Sequence, residues 1–285
     1  MRKIVYAAAG IALAAGIATP MMAMAADSTT VVVTGADLTT STAPGPNQFL
    51  VIDQKTGGGS GGGVSTVHGP ATPPLGMGSL QLAVARAADH WSVYNYDHTG
   101  TLLSDITALS YSTYTDNMTT APALQLVINP GAHAASCTSC ASNVTYSTLN
   151  FEPYQNTTSQ QSLKADTWQG WNVLDGNVWG THLNMNQGPG VSWSQFVADY
   201  PAATVTNGFG MNVGSNWSAM TGNVDALTFG TAAGTTTYDF EPTVALSGKD
   251  QCKQSGWMTS NAPTFMNQGA CVSYFASNGK ADPKG

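Results

Sequence analysis

The stretch LSYSTYTDNMTTAPALQLVI, residues 109–128, carries the pattern that decides the fold class. In its two runs, 109–114 and 124–128, apolar or aromatic side chains recur between polar ones. Because successive side chains of a strand point to opposite faces, this alternation predicts two strands with one buried face each. The Asp, Asn, Thr and Pro residues of 116–122 predict a turn that pairs these two strands with each other.

The same strand pattern recurs along most of the chain. The further predicted strands fall near residues 29–33, 49–52, 80–84, 91–96, 146–151, 167–173, 204–213, 224–229 and 235–240. One short helix is predicted after Ser192, a good N-cap, and Pro201 ends it. Many short strands with one helix predict an all-β, two-sheet β-sandwich of the jelly-roll or concanavalin-like kind. A propeller is disfavoured because the sequence shows no blade-length repeat.

The first residues predict an exported protein. Arg2 and Lys3 precede an apolar run, 4–17, and AMA at 23–25 provides a signal-peptidase site. We therefore interpret 1–26 as a signal peptide, because the apolar run is too short to span a membrane. After cleavage no membrane insertion is expected, and the predicted location is extracellular or at the bacterial cell surface. Residues 27–242 form the predicted sandwich, and 243–285 a small disulfide-stapled tail.

The charge balance excludes two classes of partner. Nine Lys and Arg residues stand against sixteen Asp and Glu residues. Removing 1–26 leaves seven basic residues against sixteen acidic ones, a net charge of −9. A chain with so few cations has no electrostatic footprint for nucleic acid and no attraction to an anionic membrane surface.

The four cysteines predict two local disulfides. Spacing favours Cys137–Cys140 and Cys252–Cys271 among the three possible pairings. A redox Cys-x-x-Cys normally opens a helix, and the Ser- and Ala-rich surroundings of Cys137 show no helical pattern. A four-cysteine zinc site normally has two Cys-x-x-Cys knuckles, and this chain has one. Structural disulfides of an oxidising compartment are the better interpretation.

Two sets of motifs resemble known secreted proteins. The tail contains KDQCK (249–253), GW (256–257), FMNQG (265–269) and CVSY (271–274). This set resembles a C-terminal motif of secreted bacterial proteins whose function is unassigned.

The body also carries a familiar set, GMGSLQL (76–82), LSDITALSY (103–111), FEPY (151–154) and GNVDALTFG (222–230). It resembles exported jelly-roll domains that are similar to carbohydrate-binding modules. The resemblance implies a fold more than a function.

A cluster of aromatic and amide residues predicts a glycan site. Aromatic rings can stack on the apolar faces of sugars while amides bind the hydroxyl groups. The predicted ligand-binding residues are Trp168, Trp171, Trp179, Tyr154, Gln155 and Asn156. The alternative is that these aromatic side chains pack the core. Trp168 and Trp171 are an odd number of positions apart, so a regular strand would place them on opposite faces and at most one inside.

One metal site is considered, and no other cofactor is expected. In similar sandwiches an acidic residue at the place of Asp225 helps to bind a structural calcium ion, whose ligands are oxygens. A partner oxygen from Asp27, Asp37 or Asp53 would be needed. The favoured interpretation is a carboxylate that accepts hydrogen bonds from the N–H groups of a neighbouring loop.

Three functions remain open at this point. The leading hypothesis is a secreted, non-catalytic binding module for a glycan. The second is a glycoside hydrolase or lyase that uses Glu152 and Glu241, the only two glutamates, which would have to face each other across a cleft. The third is a purely structural surface protein.

Overall fold

The computed structural model describes residues 27–55, 59–185, 187–188, 190–214, 217 and 219–285; the predicted signal peptide, 1–26, lies outside them. The described residues form the two-sheet, all-β sandwich that the alternation predicts. Its strands are, in chain order, β1 Asp27–Val33, β2 Leu38–Thr39, β3 Phe49–Asp53, β4 Gly63–His68, β5 Gly78–Val84, β6 Trp91–Asn95, β7 Ile106–Thr115, β8 Ala123–Asn129, β9 Ser147–Phe151, β10 Gln169–Asn172, β11 Asn177–Gly180, β12 Val191–Ser192, β13 Thr204–Val213, β14 Met220–Thr231 and β15 Gly234–Phe240. The α-helices are α1 Trp193–Asp199 and α2 Gln268–Ala276.

The two sheets differ in how their strands are joined. Sheet A is built around β14, which pairs along one edge with β7 and along the other with β5 and then β15. Strands β4, β1 and β10 extend it at β5, β15 and β7. Sheet B has the order β12-β11-β9-β8-β13-β6-β3-β2. Its neighbours are antiparallel except β2 and β3, which run parallel.

The strands 109–114 and 124–128 both exist, but the prediction that they pair is wrong. β7 pairs with β10 and β14 in sheet A, and β8 pairs with β9 and β13 in sheet B. The connection between them carries the chain from one sheet to the other. It is held by the Tyr111 hydroxyl, which donates to the Pro122 carbonyl at 3.1 Å. Alternation identifies a strand's buried face, and it does not identify the strand's neighbour.

A single apolar core fills the space between the sheets. Leu109 and Tyr111 of β7 enter it from sheet A, and Leu124 and Leu126 of β8 enter it from sheet B. All four side chains are at most 2 % exposed. The two alternating runs therefore contribute to one core from opposite sheets, and burial of their apolar surface joins the sheets.

The predicted helix is confirmed as α1. The Ser192 side chain accepts a hydrogen bond from the Gln195 amide at 3.2 Å, and Trp193 and Phe196 are buried. A second helix, α2, was not predicted. Its N-cap is Asn267, whose side chain accepts from the Ala270 amide at 2.8 Å.

Both disulfides have the pairing that spacing favours. Cys137 is bonded to Cys140, and Cys252 is bonded to Cys271 of α2. The second bond lies in a small apolar cluster of its own with Phe265, apart from the main core. Among the described residues, no helix has the length and apolar character needed to cross a membrane.

Asp225 is a buried carboxylate at the point of sheet A where β14 changes partner from β5 to β15. Its two oxygens accept the backbone N–H groups of Leu75, at 2.8 Å, and of Phe240, at 3.3 Å. Burial raises the pKa of Asp225 to about 7. Burial and the neighbouring Glu241 raise the pKa of Asp239 to about 6.

These raised pKa values predict how stability depends on pH. The native state holds these protons more tightly than the unfolded chain, so the stabilisation is complete below about pH 4 and is lost as pH rises towards 7. Asp53 acts in the opposite sense, because hydrogen bonds from Ser60 lower its pKa to about 2. We expect the free energy of unfolding, measured by urea denaturation, to fall by a few kcal/mol between pH 4.5 and pH 8.

Asp225→Asn should remove most of this pH dependence, since an amide does not titrate. The exposed Asp105 provides the matched control, and Asp105→Asn should keep the wild-type slope. An Asp225→Asn variant with an unchanged slope would show that this carboxylate is not the origin of the effect.

Candidate functional site

A cleft lies on the face of sheet B that points away from the core. In β6, β8, β9 and β13 every second side chain enters the core, for example Val93, Leu124 and Met211. The positions between them point outward, and several of these positions carry polar side chains, among them Gln125, Asn150 and Asn212. Cross-strand pairing places Tyr94, Gly210, Gln125, Asn150 and Trp179 in one row across β6, β13, β8, β9 and β11, and we call this set the polar row.

The polar row is joined by hydrogen bonds that all run in one direction. The Tyr94 hydroxyl donates to Oε1 of Gln125, and Nε2 of Gln125 donates to Oδ1 of Asn150 at 2.7 Å. Nδ2 of Asn150 donates to the Thr148 carbonyl at 2.9 Å and to the Trp179 carbonyl at 3.4 Å. These bonds fix which end of each amide is the donor.

A second row runs beside the first. Asn212 of β13 lies opposite Ser92 of β6, and its Nδ2 donates to the Ser92 hydroxyl at 2.9 Å. The same amide contacts Nε2 of His90, just before β6. Asn212 is 5 % exposed, so its position is set by this bonding rather than by solvent.

Glu152 closes the cleft at the end of β9. The three residues that donate to its Oε2 are Trp179, by Nε1 at 2.8 Å, Tyr154, by its hydroxyl at 3.3 Å, and Gln155, by Nε2. The chain makes a 3₁₀ turn over Pro153–Asn156, which brings Tyr154 and Gln155 back to Glu152. Trp179 reaches Glu152 from the neighbouring strand, because β11 pairs with β9.

Glu152 is the one carboxylate among the described residues that line the cleft. Burial raises the pKa of Glu152, an effect that its hydrogen-bond donors oppose. Burial lowers the pKa of His90, an effect that favours the neutral imidazole and that the charge of Asp53 opposes. Burial also raises the pKa of Tyr94 to about 12. Among the described residues that line the cleft there is no Lys or Arg.

The lining of the cleft, and not its volume, distinguishes it from other depressions of the surface. The cleft has a volume of about 320 Å³. A larger depression of about 610 Å³, around Leu102 and Ser104, has no buried side chain in its lining. The cleft is therefore the place where buried polar groups and aromatic rings converge, as in small-molecule sites.

The structure brings three of the predicted ligand-binding residues together. Trp179, Tyr154 and Gln155 meet at Glu152. Asn156 lies underneath them and is fully buried, with Nδ2 donating to the Glu152 carbonyl at 3.0 Å. Asn156 therefore holds the turn in place, and of these four residues Trp179 lines the cleft itself while Tyr154 and Gln155 contact it through Glu152.

The structure corrects the predicted glycan site at the other two tryptophans, Trp171 and Trp168, which lie away from the cleft. Trp171 is 1 % exposed in the core, and its Nε1 donates to the Thr113 hydroxyl at 2.8 Å. Trp168 is half-buried beside sheet A, where its ring lies 5.7 Å from that of Tyr114 and its Nε1 donates to the Pro70 carbonyl. β10 belongs to sheet A and β11 to sheet B, so closeness in sequence did not bring these rings to Trp179.

The two glutamates do not form a catalytic pair in one cleft. Glu152 lines the cleft on sheet B. Glu241 directly follows β15 of sheet A, where its backbone amide donates to the Val33 carbonyl and its carboxylate accepts from the Met77 amide at 2.6 Å. A glycosidase pair would have to flank one bond of one substrate.

The structure gives Asp225 the loop-capping role rather than a calcium site. Both of its oxygens accept backbone N–H groups, and Asp27, Asp37 and Asp53 are not among its partners. Of the residues described, one set of three ligand-type side chains lies close enough to share a metal ion. That set is Cys137, Cys140 and Asp199, whose two sulfurs are bonded to each other.

Sequence reasoning missed most of the cleft. The missed side chains that line it include Tyr94, Gln125, Asn150, Asn212, Tyr146 and Trp217. A signal for three of them was present. Gln125, Asn150 and Asn212 are each a single amide between two apolar residues of a strand.

Comparison of the chain with protein-family models, with curated proteins and with solved structures gave no match. The resemblance of its motifs to secreted jelly-roll proteins stays a prediction. Any function must therefore be argued from the geometry of the cleft.

The positions of the tryptophans predict different effects on stability. Trp171→Ala removes a large buried ring and leaves the Thr113 hydroxyl without its partner, so the free energy of unfolding should fall by about 3–5 kcal/mol. Trp179→Ala should cost less than half as much, because Trp179 is half-buried at the surface. Urea denaturation of both variants measures the difference. Equal losses would contradict the core position of Trp171.

Proposed function

We propose that this protein is a secreted, non-catalytic module that binds a glycan in the cleft on sheet B. Trp179 and Tyr94 supply aromatic rings at the two ends of the polar row, and Tyr146 and Trp217 supply further rings. The amides of Gln125 and Asn150 lie between them. This combination suits a sugar, which has apolar ring faces and hydroxyl groups that both donate and accept.

The observation that carries the proposal is the burial of polar side chains on the outer face of a sheet. Gln125 is 8 % exposed and Asn150 is 3 % exposed, although both point away from the core. Burying amides costs free energy unless they are hydrogen-bonded, and apolar residues would serve a purely structural contact at lower cost. A row of amides with fixed donors and acceptors is the kind of surface that recognises a hydroxylated ligand.

A role outside the cytoplasm is supported by two features. The sequence of 1–26 has the pattern of a signal peptide, and the structure has two disulfides. Disulfides form and persist in oxidising compartments.

The binding test compares two tryptophans in matched settings. Trp179 and Trp168 are both half-buried, and the indole N–H of each donates a hydrogen bond, at 2.8 and 2.9 Å. On a glycan array and by affinity electrophoresis, Trp179→Ala should weaken binding at least about tenfold, the effect of losing a large aromatic contact. Trp168→Ala should bind as the wild type does.

Two results would contradict the proposal. Wild-type protein that binds no glycan on a broad array would remove the function. Equal binding by wild type and Trp179→Ala would place the ligand elsewhere. Thermal unfolding of each variant controls for loss of structure.

The proposal that the protein is exported makes a separate prediction. Expressed in a bacterium with its own leader, the mature protein should begin at Ala26 or Asp27 and contain no free thiol. N-terminal sequencing and thiol titration of the cell-free fraction measure both properties. An uncleaved chain that stays inside the cell would contradict this prediction.

A further inference from the structure

The proposed function does not assign a role to the carboxylate of Glu152 in the cleft. Glu152 is 7 % exposed, and its three side-chain donors all bind Oε2. Within the described residues, Oε1 accepts no hydrogen bond. The neutral donors around Glu152 do not cancel its charge, so a carboxylate with a free acceptor oxygen faces the ligand.

The wider surroundings reinforce this negative potential. The sandwich, 27–242, contains fourteen Asp and Glu residues and three Lys and Arg residues. Two of those cations, Lys55 and Arg86, are paired with Asp89, at 3.5 and 2.9 Å. Low-dielectric walls focus the field of a charge in a cleft.

We infer that Glu152 sets the charge of the ligand, so that the cleft takes uncharged or amine-bearing glycans and excludes glycans with carboxylate, sulfate or phosphate groups. This inference rests on the proposed function, because it names the class of glycan that the same cleft would bind. A hydroxyl or an ammonium group of the ligand donates to Oε1. An anionic group brought to the same place meets like charge without a cation to offset it.

The test measures binding of one polysaccharide panel by affinity electrophoresis. Its uncharged members are xylan, mannan, hydroxyethyl cellulose and β-1,3-glucan, its amine-bearing member is chitosan, and its anionic members are polygalacturonate, alginate and hyaluronate. Wild-type protein should bind at least one uncharged or amine-bearing polysaccharide and should bind the anionic ones at least about tenfold more weakly.

The panel is then repeated with Glu152→Gln and with a matched control. Glu152→Gln should reduce the difference between the uncharged and anionic members about tenfold, and it should weaken the binding of chitosan. Glu241→Gln removes the same charge from the other glutamate, which lies with sheet A, and should leave the difference unchanged. Thermal unfolding shows whether each variant is folded.

A second variant keeps the inference falsifiable if Glu152→Gln does not fold. Gln54 lines the rim of the cleft and is exposed, so Gln54→Lys adds a cation at the rim while Glu152 and its hydrogen-bond donors stay unchanged. It should raise the binding of the anionic polysaccharides relative to the uncharged ones.

The outcomes separate the two proposals. If wild-type protein binds no polysaccharide of the panel or of the array, the proposed function fails. If it binds anionic polysaccharides as well as uncharged ones, the inference about Glu152 is overturned while glycan binding stands. The inference is also overturned if the charge preference survives in both Glu152→Gln and Gln54→Lys.

Discussion

The amide of Gln125 lies between the Tyr94 hydroxyl and the Asn150 amide, and the arrangement of the whole outer face of sheet B depends on this contact. A buried amide is tolerated only when its donors and acceptors are paired. The two partners of Gln125 lie on β6 and β9, and strands β13 and β8 lie between these two. The hydrogen bonds therefore form only if all four strands are in register. A slip of one residue would turn the apolar side chains outward and break the row, so the row and the core specify the same register.

The depth of the cleft follows from one residue in the middle of this row. Gly210 occupies the outward position of β13 between Tyr94 and Gln125. A Cβ atom at this position would lie 1.7 Å from the carbonyl oxygen of Val93. The Tyr94 hydroxyl therefore reaches Gln125 across a strand that presents no side chain, and the surface is concave at this point. The residue that makes the cleft possible carries no functional group of its own.

Local pattern was sufficient for the parts of the fold that depend on local physics. Alternation identified most strands, Ser192 and Pro201 marked the ends of α1, and spacing indicated both disulfides. The choice of partner strand was not readable in this way. The turn residues of 116–122 suit a hairpin as well as a corner between two sheets, and only the completed core decides between them. The short strand β4 was missed because its six residues follow a glycine-rich stretch and lie at the edge of sheet A.

The candidate site shows the same division between local and long-range information. Trp168, Trp171 and Trp179 were grouped because they lie near one another in sequence, and the structure places Trp168 and Trp171 with sheet A, away from the cleft. The amides that they meet, Gln125, Asn150 and Asn212, lie up to about 60 residues away in sequence, so their meeting depends on sheet order. Each amide can nevertheless be recognised in the sequence, because a single Gln or Asn between two core residues of a strand occupies an outward position. In a sheet that merely faces solvent, Thr or Ser would serve equally well at that position. Outward amides on several strands of one predicted sandwich, taken together, indicate a binding face before the order of the strands is known.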